Sequence, residues 1–95
     1  MASTKELRDY ILEGLESVTY KPMMGEYLLY YDGILFGGIY DDVLLVKIVD
    51  SNKKYNMEEV IPYPNAKPMY RVEDIDNKDE VMKIIIDTCD GLKKK

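Results

Sequence analysis

Ninety-five residues are enough for one domain with a single modest core. With 46% hydrophobic and 33% charged residues, the composition excludes a disordered chain. A net charge of −5 excludes the broad basic surface that direct nucleic-acid binding needs to displace counterions.

In chain order, Ser3-Thr4-Lys5-Glu6 has the pattern of a capping box, Ser3 with Glu6 three residues on. Leu7, Tyr10, Ile11, Leu15 and Val18 then follow helical spacing, which predicts a helix over 4–16. Val18 to Lys21 reads as a short strand stopped by Pro22, and Met23-Met24-Gly25-Glu26 as a turn. Strands follow at 27–31, 34–40 and 43–49, joined by Asp32-Gly33 and Asp41-Asp42 as two-residue turns. The result is an antiparallel meander. Asp50 to Asn56 is polar and suited to a short helical turn. Residues 57–68, with Pro62, Pro64 and Pro68, read as an irregular crossing loop. Met69 to Val72 is a last strand. A C-terminal helix begins among Asp74 to Glu80, carries Val81, Met82, Ile85, Cys89 and Leu92 on its apolar face, and ends at Gly91.

Two-residue turns set a register, and an unbroken register sorts the meander into two faces. Leu28, Tyr30, Leu35, Gly37, Ile39, Leu44, Val46 and Ile48 form an uncharged face, expected to receive both helices. The opposite face holds Tyr27, Leu29, Tyr31, Ile34, Phe36, Gly38, Tyr40, Val43, Leu45, Lys47 and Val49, with Lys47 its only charge. A wet sheet face should be polar. This one therefore needs a cover, either the proline-rich loop or something from outside. Tyr27, Tyr31, Phe36, Tyr40 and Lys47 are accordingly the candidate interaction face. If the loop instead lids a pocket, Tyr63, Met69 and Tyr70 are its candidate lining.

Few residues invite chemistry. The chain has no histidine, which removes Ser-His and Cys-His catalysis and the usual zinc sets. Its single cysteine, Cys89, cannot form an internal disulfide and falls on an apolar helix face, as a core residue would. Phe36-Gly37-Gly38 lacks the spacing of a phosphate loop and reads as close packing. Asp41, Asp42 and Asp32 are explained by turns and fall short of a calcium loop. Lys47 reads as an apolar stem with its ammonium in water. Lys93-Lys94-Lys95 reads as a solvated tail at a helix C-terminus. The sequence thus predicts a non-enzymatic protein without catalytic residue, metal or cofactor. No signal peptide or membrane span is evident, so the expected location is cytoplasmic.

The stretches Lys21-Pro22-Met23-Met24-Gly25-Glu26-Tyr27, Leu29-Tyr30-Tyr31-Asp32-Gly33, Phe36-Gly37, Tyr40-Asp41-Asp42 and Leu45-Val46-Lys47 resemble the TfoX/Sxy N-terminal domain family. Pro62-Tyr63 and Met69-Tyr70 are similar to its second half, and the likeness spans roughly residues 3–90. Lys21 and Met23-Met24 depart from the family's frequent Arg and Met-Phe. The larger regulators also carry a second domain, for which a chain ending at Lys95 leaves no room, so one domain over 1–95 is expected. The resemblance implies an α+β fold like that of secretion chaperones, with helices on one side of an antiparallel sheet. It also implies a regulator of competence or transcription acting through a protein partner or a second copy of itself. It supplies no catalytic residue. A small-molecule binding protein, with a pocket under the proline-rich loop, is the alternative.

Overall fold

A computed structural model describes residues 3–93. Lys94 and Lys95 of the C-terminal lysine run lie outside the described residues. The fold is α+β: a six-stranded antiparallel sheet with an N-terminal helix, α1 (Lys5–Leu12), and a C-terminal helix, α2 (Lys78–Lys93). The strands are β1 (Val18–Met23), β2 (Glu26–Tyr31), β3 (Ile34–Tyr40), β4 (Val43–Val46), β5 (Glu58–Val60) and β6 (Met69–Arg71), in the spatial order β1-β2-β3-β4-β6-β5. A 3-10 helix (Asp50–Tyr55) links β4 to β5.

Helix α1 is shorter than its apolar spacing predicts. Its N-cap is Thr4, whose hydroxyl accepts the Leu7 N–H at 3.2 Å, and it ends at Leu12 because Gly14 turns to φ +81°. Ser3 does different work. Its hydroxyl donates to Glu26 Oε1 at 2.6 Å and accepts the Asp42 N–H at 3.0 Å, pinning the start of the chain between two hairpin turns.

Three hairpins share one turn chemistry. Met24-Gly25, Asp32-Gly33 and Asp41-Asp42 all have positive φ at both central residues, as a type I′ turn requires. Pro22 lies inside β1, where the missing N–H is tolerated because β1 is an edge strand. Within the expected crossing loop, Glu58–Val60 forms the other edge strand, short and acidic in the manner of a protected edge.

The register of β2 on β3 decides the faces. Next to the turn, Tyr31 opposes Ile34 and Tyr30 opposes Leu35. A bulge then intervenes, and Leu29 opposes Gly37 and Tyr27 opposes Ile39. Phe36 is the extra residue. One inserted residue reverses which side chains share a face. The unbroken register therefore fails for β2 and the start of β3, while β4 faces as expected. Tyr27, Leu29 and Phe36 join Ile39, Leu44, Val46, Tyr70 and Val72 in the helix-side core, against Ile11 and Leu15 before the sheet and Val81, Ile84, Ile85 and Cys89 of α2. Both glycines after Phe36 are required by close approach. A Cβ on Gly37 would lie 2.1 Å from the Leu45 carbonyl oxygen, and one on Gly38 2.5 Å from that of Tyr27.

Helix α2 starts later than Asp74 and is capped by Asn77, whose Oδ1 accepts the Glu80 N–H at 3.3 Å. It also continues through Gly91 to Lys93. Gly91 is a contact point, because a Cβ there would stand 2.6 Å from Ser51 Oγ and from Val49 Cγ2. The 3-10 helix packs on α2 through a buried polar set. Asn52 Nδ2 donates to Thr88 Oγ1 at 2.9 Å and to the Lys47 carbonyl at 2.8 Å, and Thr88 Oγ1 donates to the Ile84 carbonyl at 2.7 Å. Asn52 and Thr88 are fully buried, and both are fully partnered.

Candidate functional site

The helix-free face of the sheet has its own small core. Tyr40, Leu45 and Met69 are buried there, with Leu28, Val43 and Val60 packed against them. The sheet contributes the floor, and residues 61–68, between β5 and β6, contribute a wall. Between them runs an open groove of about 920 Å³. Leu28, Leu35, Tyr40 and Met69 give it an apolar base, and Pro62 and Tyr63 line it from the loop. The Tyr40 and Tyr63 rings stand 6.1 Å apart at 47°, tying loop to sheet. Burial raises the Tyr40 phenol above its ordinary pKa, with smaller contributions from Tyr63 and Glu26. The charged residues around the groove are Lys47, Lys53, Lys67 and Glu59. Lys53 pairs with Asp50 at 3.1 Å, whereas the half-buried Lys47 has no ion pair among the described residues.

The five residues expected to form one interaction face are divided between two. Tyr40 and Lys47 line the groove. Phe36 is fully buried on the helix side, and Tyr27 is buried there as well, with the Arg8 guanidinium 5.2 Å from its ring centroid. Tyr31 packs half-buried against the same core. The Phe36 bulge is the cause of this correction. Of the pocket candidates, Tyr63 lines the groove from the loop and Met69, the first residue of β6, from its floor. Tyr70 also borders it, but at 8% exposed it is a member of the helix-side core.

Sequence reasoning missed Leu28 and Leu35 on the groove floor, Lys53 and Lys67 around it, and Met23 at its end. The available signal was the glycine pair after Phe36. Glycine within a strand marks a bulge, and a bulge there puts Leu28 and Leu35 beside Tyr40.

Two carboxylates at the turns, those of Asp42 and Glu26, have partners within the fold. Asp42 Oδ1 accepts the Thr4 N–H at 2.7 Å, and the Asp41 N–H donates to Glu26 at 3.0 Å. No cluster of metal-ligating side chains occurs among the described residues. No helix among them is long and apolar enough to cross a membrane.

The chain matches no curated protein and no solved structure in the corresponding comparisons. Comparison with protein families matches residues 10–83 to the TfoX N-terminal domain. That span runs from within α1 through the whole sheet into α2, and holds all of the groove lining except Leu92. The chain belongs to the TfoX N-terminal domain family, which is associated with the regulation of competence.

Proposed function

We propose that this domain is a non-enzymatic protein-interaction module, cytoplasmic and regulatory, that seats a segment of a protein partner in the groove on its helix-free face. The observation that carries the reading is an apolar sheet face only partly covered by its own chain. Large side chains continue outward from the groove. Ile61 and Tyr63 are each 54% exposed on the loop, and Met23 is exposed at the hairpin. A protein segment can use that continuation, because interfaces combine an apolar centre with aromatic and methionine side chains. The non-enzymatic part is supported by the side-chain inventory, since a chain with no histidine lacks Ser-His and Cys-His pairs.

The test compares wild type with Leu35→Gln, which keeps the net charge and polarises the floor. Both are tagged, crosslinked in the native host and analysed by quantitative mass spectrometry. A protein enriched on wild type alone, and re-formed into a complex from purified components, supports the reading. If both baits give the same profile, and light scattering shows a monomer at every concentration, the reading fails.

A second reading, a small-molecule site under the loop, is favoured by Tyr63 lining the groove from the loop and Met69 from the floor beneath it. A metabolite screen by thermal shift tests it, because a native-state ligand raises Tm by mass action.

A further inference from the structure

The groove's charge runs against that of the whole chain. The protein carries −5 overall, yet three lysines and a single glutamate border the groove. We infer that the partner segment is acidic as well as apolar, and that Lys47 receives one of its carboxylates. This rests on the groove being the docking site proposed above.

The three lysines are not equivalent. Lys53 already holds Asp50 at 3.1 Å, but the Asp50 side chain is almost wholly exposed, and such surface pairs are weak and readily exchanged. Lys67 stands exposed on the loop. Lys47 follows directly on β4, where its backbone N–H is held by the Phe36 carbonyl at 2.8 Å, so its stem is anchored at the bulge. Its side chain is half-buried beside Leu35 and Tyr40 in the groove lining, and no carboxylate among the described residues neutralises it. A docked segment excludes water from the groove, and the lower local dielectric then strengthens the pair that Lys47 makes with its carboxylate.

The net negative charge opposes an acidic partner only at long range. Salt screens beyond about 8 Å at physiological ionic strength. At contact, the groove's own lysines dominate. A basic segment faces the reverse, with attraction at a distance and like charge at the site. The surface therefore discriminates by sign, as specific interfaces do when they set like charges against the wrong partner.

The experiment uses an unbiased probe. A random linear-peptide library displayed on phage is selected on the full chain and counter-selected on Leu35→Gln, with Tyr63→Ala as a second counter-selector should Leu35→Gln fold poorly. Winners are synthesised and their affinities measured by fluorescence anisotropy at two salt concentrations. The expected winners interleave apolar residues with Asp and Glu and weaken with salt. They lose roughly tenfold on Lys47→Gln, a shift typical of one charge-assisted contact, and are unaffected by Lys83→Gln on α2. Groove-dependent winners that are neutral or basic, or indifferent to Lys47→Gln, overturn the charge assignment and leave the groove reading standing. Absence of any groove-dependent winner overturns the groove reading itself. A dimer by light scattering that Leu35→Gln dissociates makes a second copy the occupant and overturns the separate acidic partner.

Discussion

The Tyr55 hydroxyl donates to Asp87 Oδ2 at 2.5 Å, joining the 3-10 helix to α2 across thirty-two positions of sequence. Lys54 reaches the same oxygen at 3.1 Å. Burial, followed by the hydrogen bond to Asp87, pushes the Tyr55 phenol up to about 12. The Tyr55 hydrogen bond, ahead of the Lys54 ammonium, holds the Asp87 carboxyl below its ordinary value. The two shifts give opposite pH limbs. A depressed carboxylate contributes stability that is present above its unfolded pKa, near 4, and is lost as pH falls through the folded value. A raised phenol contributes stability that is present below its unfolded pKa, near 10, and is lost as pH rises through the folded value. Tyr55→Phe should cost about 1–2 kcal/mol at neutral pH. It should also flatten the alkaline fall between about pH 10 and 12 and shrink the acid one. Urea denaturation across pH reads both limbs, and unchanged limbs would show that the bond contributes nothing.

Phe36 and Leu35 are neighbours with opposite expected behaviour. Phe36 is fully buried against the helices, so Phe36→Ala should cost about 3–5 kcal/mol, and Phe36→Asp should abolish folding. Leu35 is half-exposed over the groove, so Leu35→Gln should stay within about 1 kcal/mol of wild type. Circular dichroism and denaturant midpoints separate the two. Similar losses at both positions would contradict the bulge.

Gly37→Ala should be far worse than an ordinary strand substitution. Alanine would help β propensity, but its methyl carbon would sit 2.1 Å from the Leu45 carbonyl oxygen. Overpacking against backbone costs about 3 kcal/mol or more, which outweighs the few tenths gained from propensity. A denaturant midpoint near that of wild type would mean that β3 and β4 lie further apart here.

Met24 is 96% exposed and has φ +51° at the tip of the first hairpin. Asparagine tolerates that conformation, and Asn-Gly is the preferred type I′ pair. Met24→Asn should therefore raise stability by about 0.5–1 kcal/mol, seen as an increased Tm. A decreased Tm would show that the methionine side chain makes a stabilising contact.

Cys89 is 1% exposed, and burial pushes its thiol up to about 11. Both effects withhold the reactive thiolate. A thiol reagent at neutral pH should leave the native protein unmodified over the time in which it labels the urea-unfolded chain completely. Native labelling at the unfolded rate would place Cys89 outside the core.

Much of the local structure was written in the sequence. Asp32-Gly33 announced its turn, because positive φ at two successive residues has few chemical solutions. β3 was legible from end to end between its two turns. The apolar spacing after Asn77 announced α2, although not that Gly91 would lie inside it. That glycine looked like a stop signal, and its role depends on Ser51 and Val49, forty residues away. The cap of α1 was displaced by one residue for a similar reason. Ser3, equally able to cap, is drawn off by Glu26 and Asp42.

The sequence by itself determined the element types, the hairpin turns, the α+β class and the presence of more apolar sheet surface than two helices can cover. These follow from short-range chemistry: turn φ, periodicity and capping. Only the tertiary structure decided which residues lie on which face. A strand repeats every two residues, so one bulged Phe36 is enough to carry Tyr27 and Leu29 into the core and bring Leu28 and Leu35 beside Tyr40 and Lys47. No local preference records that slip in full. It is chosen by the fit of Phe36 against α2 and by the room that Gly37 and Gly38 leave for the neighbouring backbones.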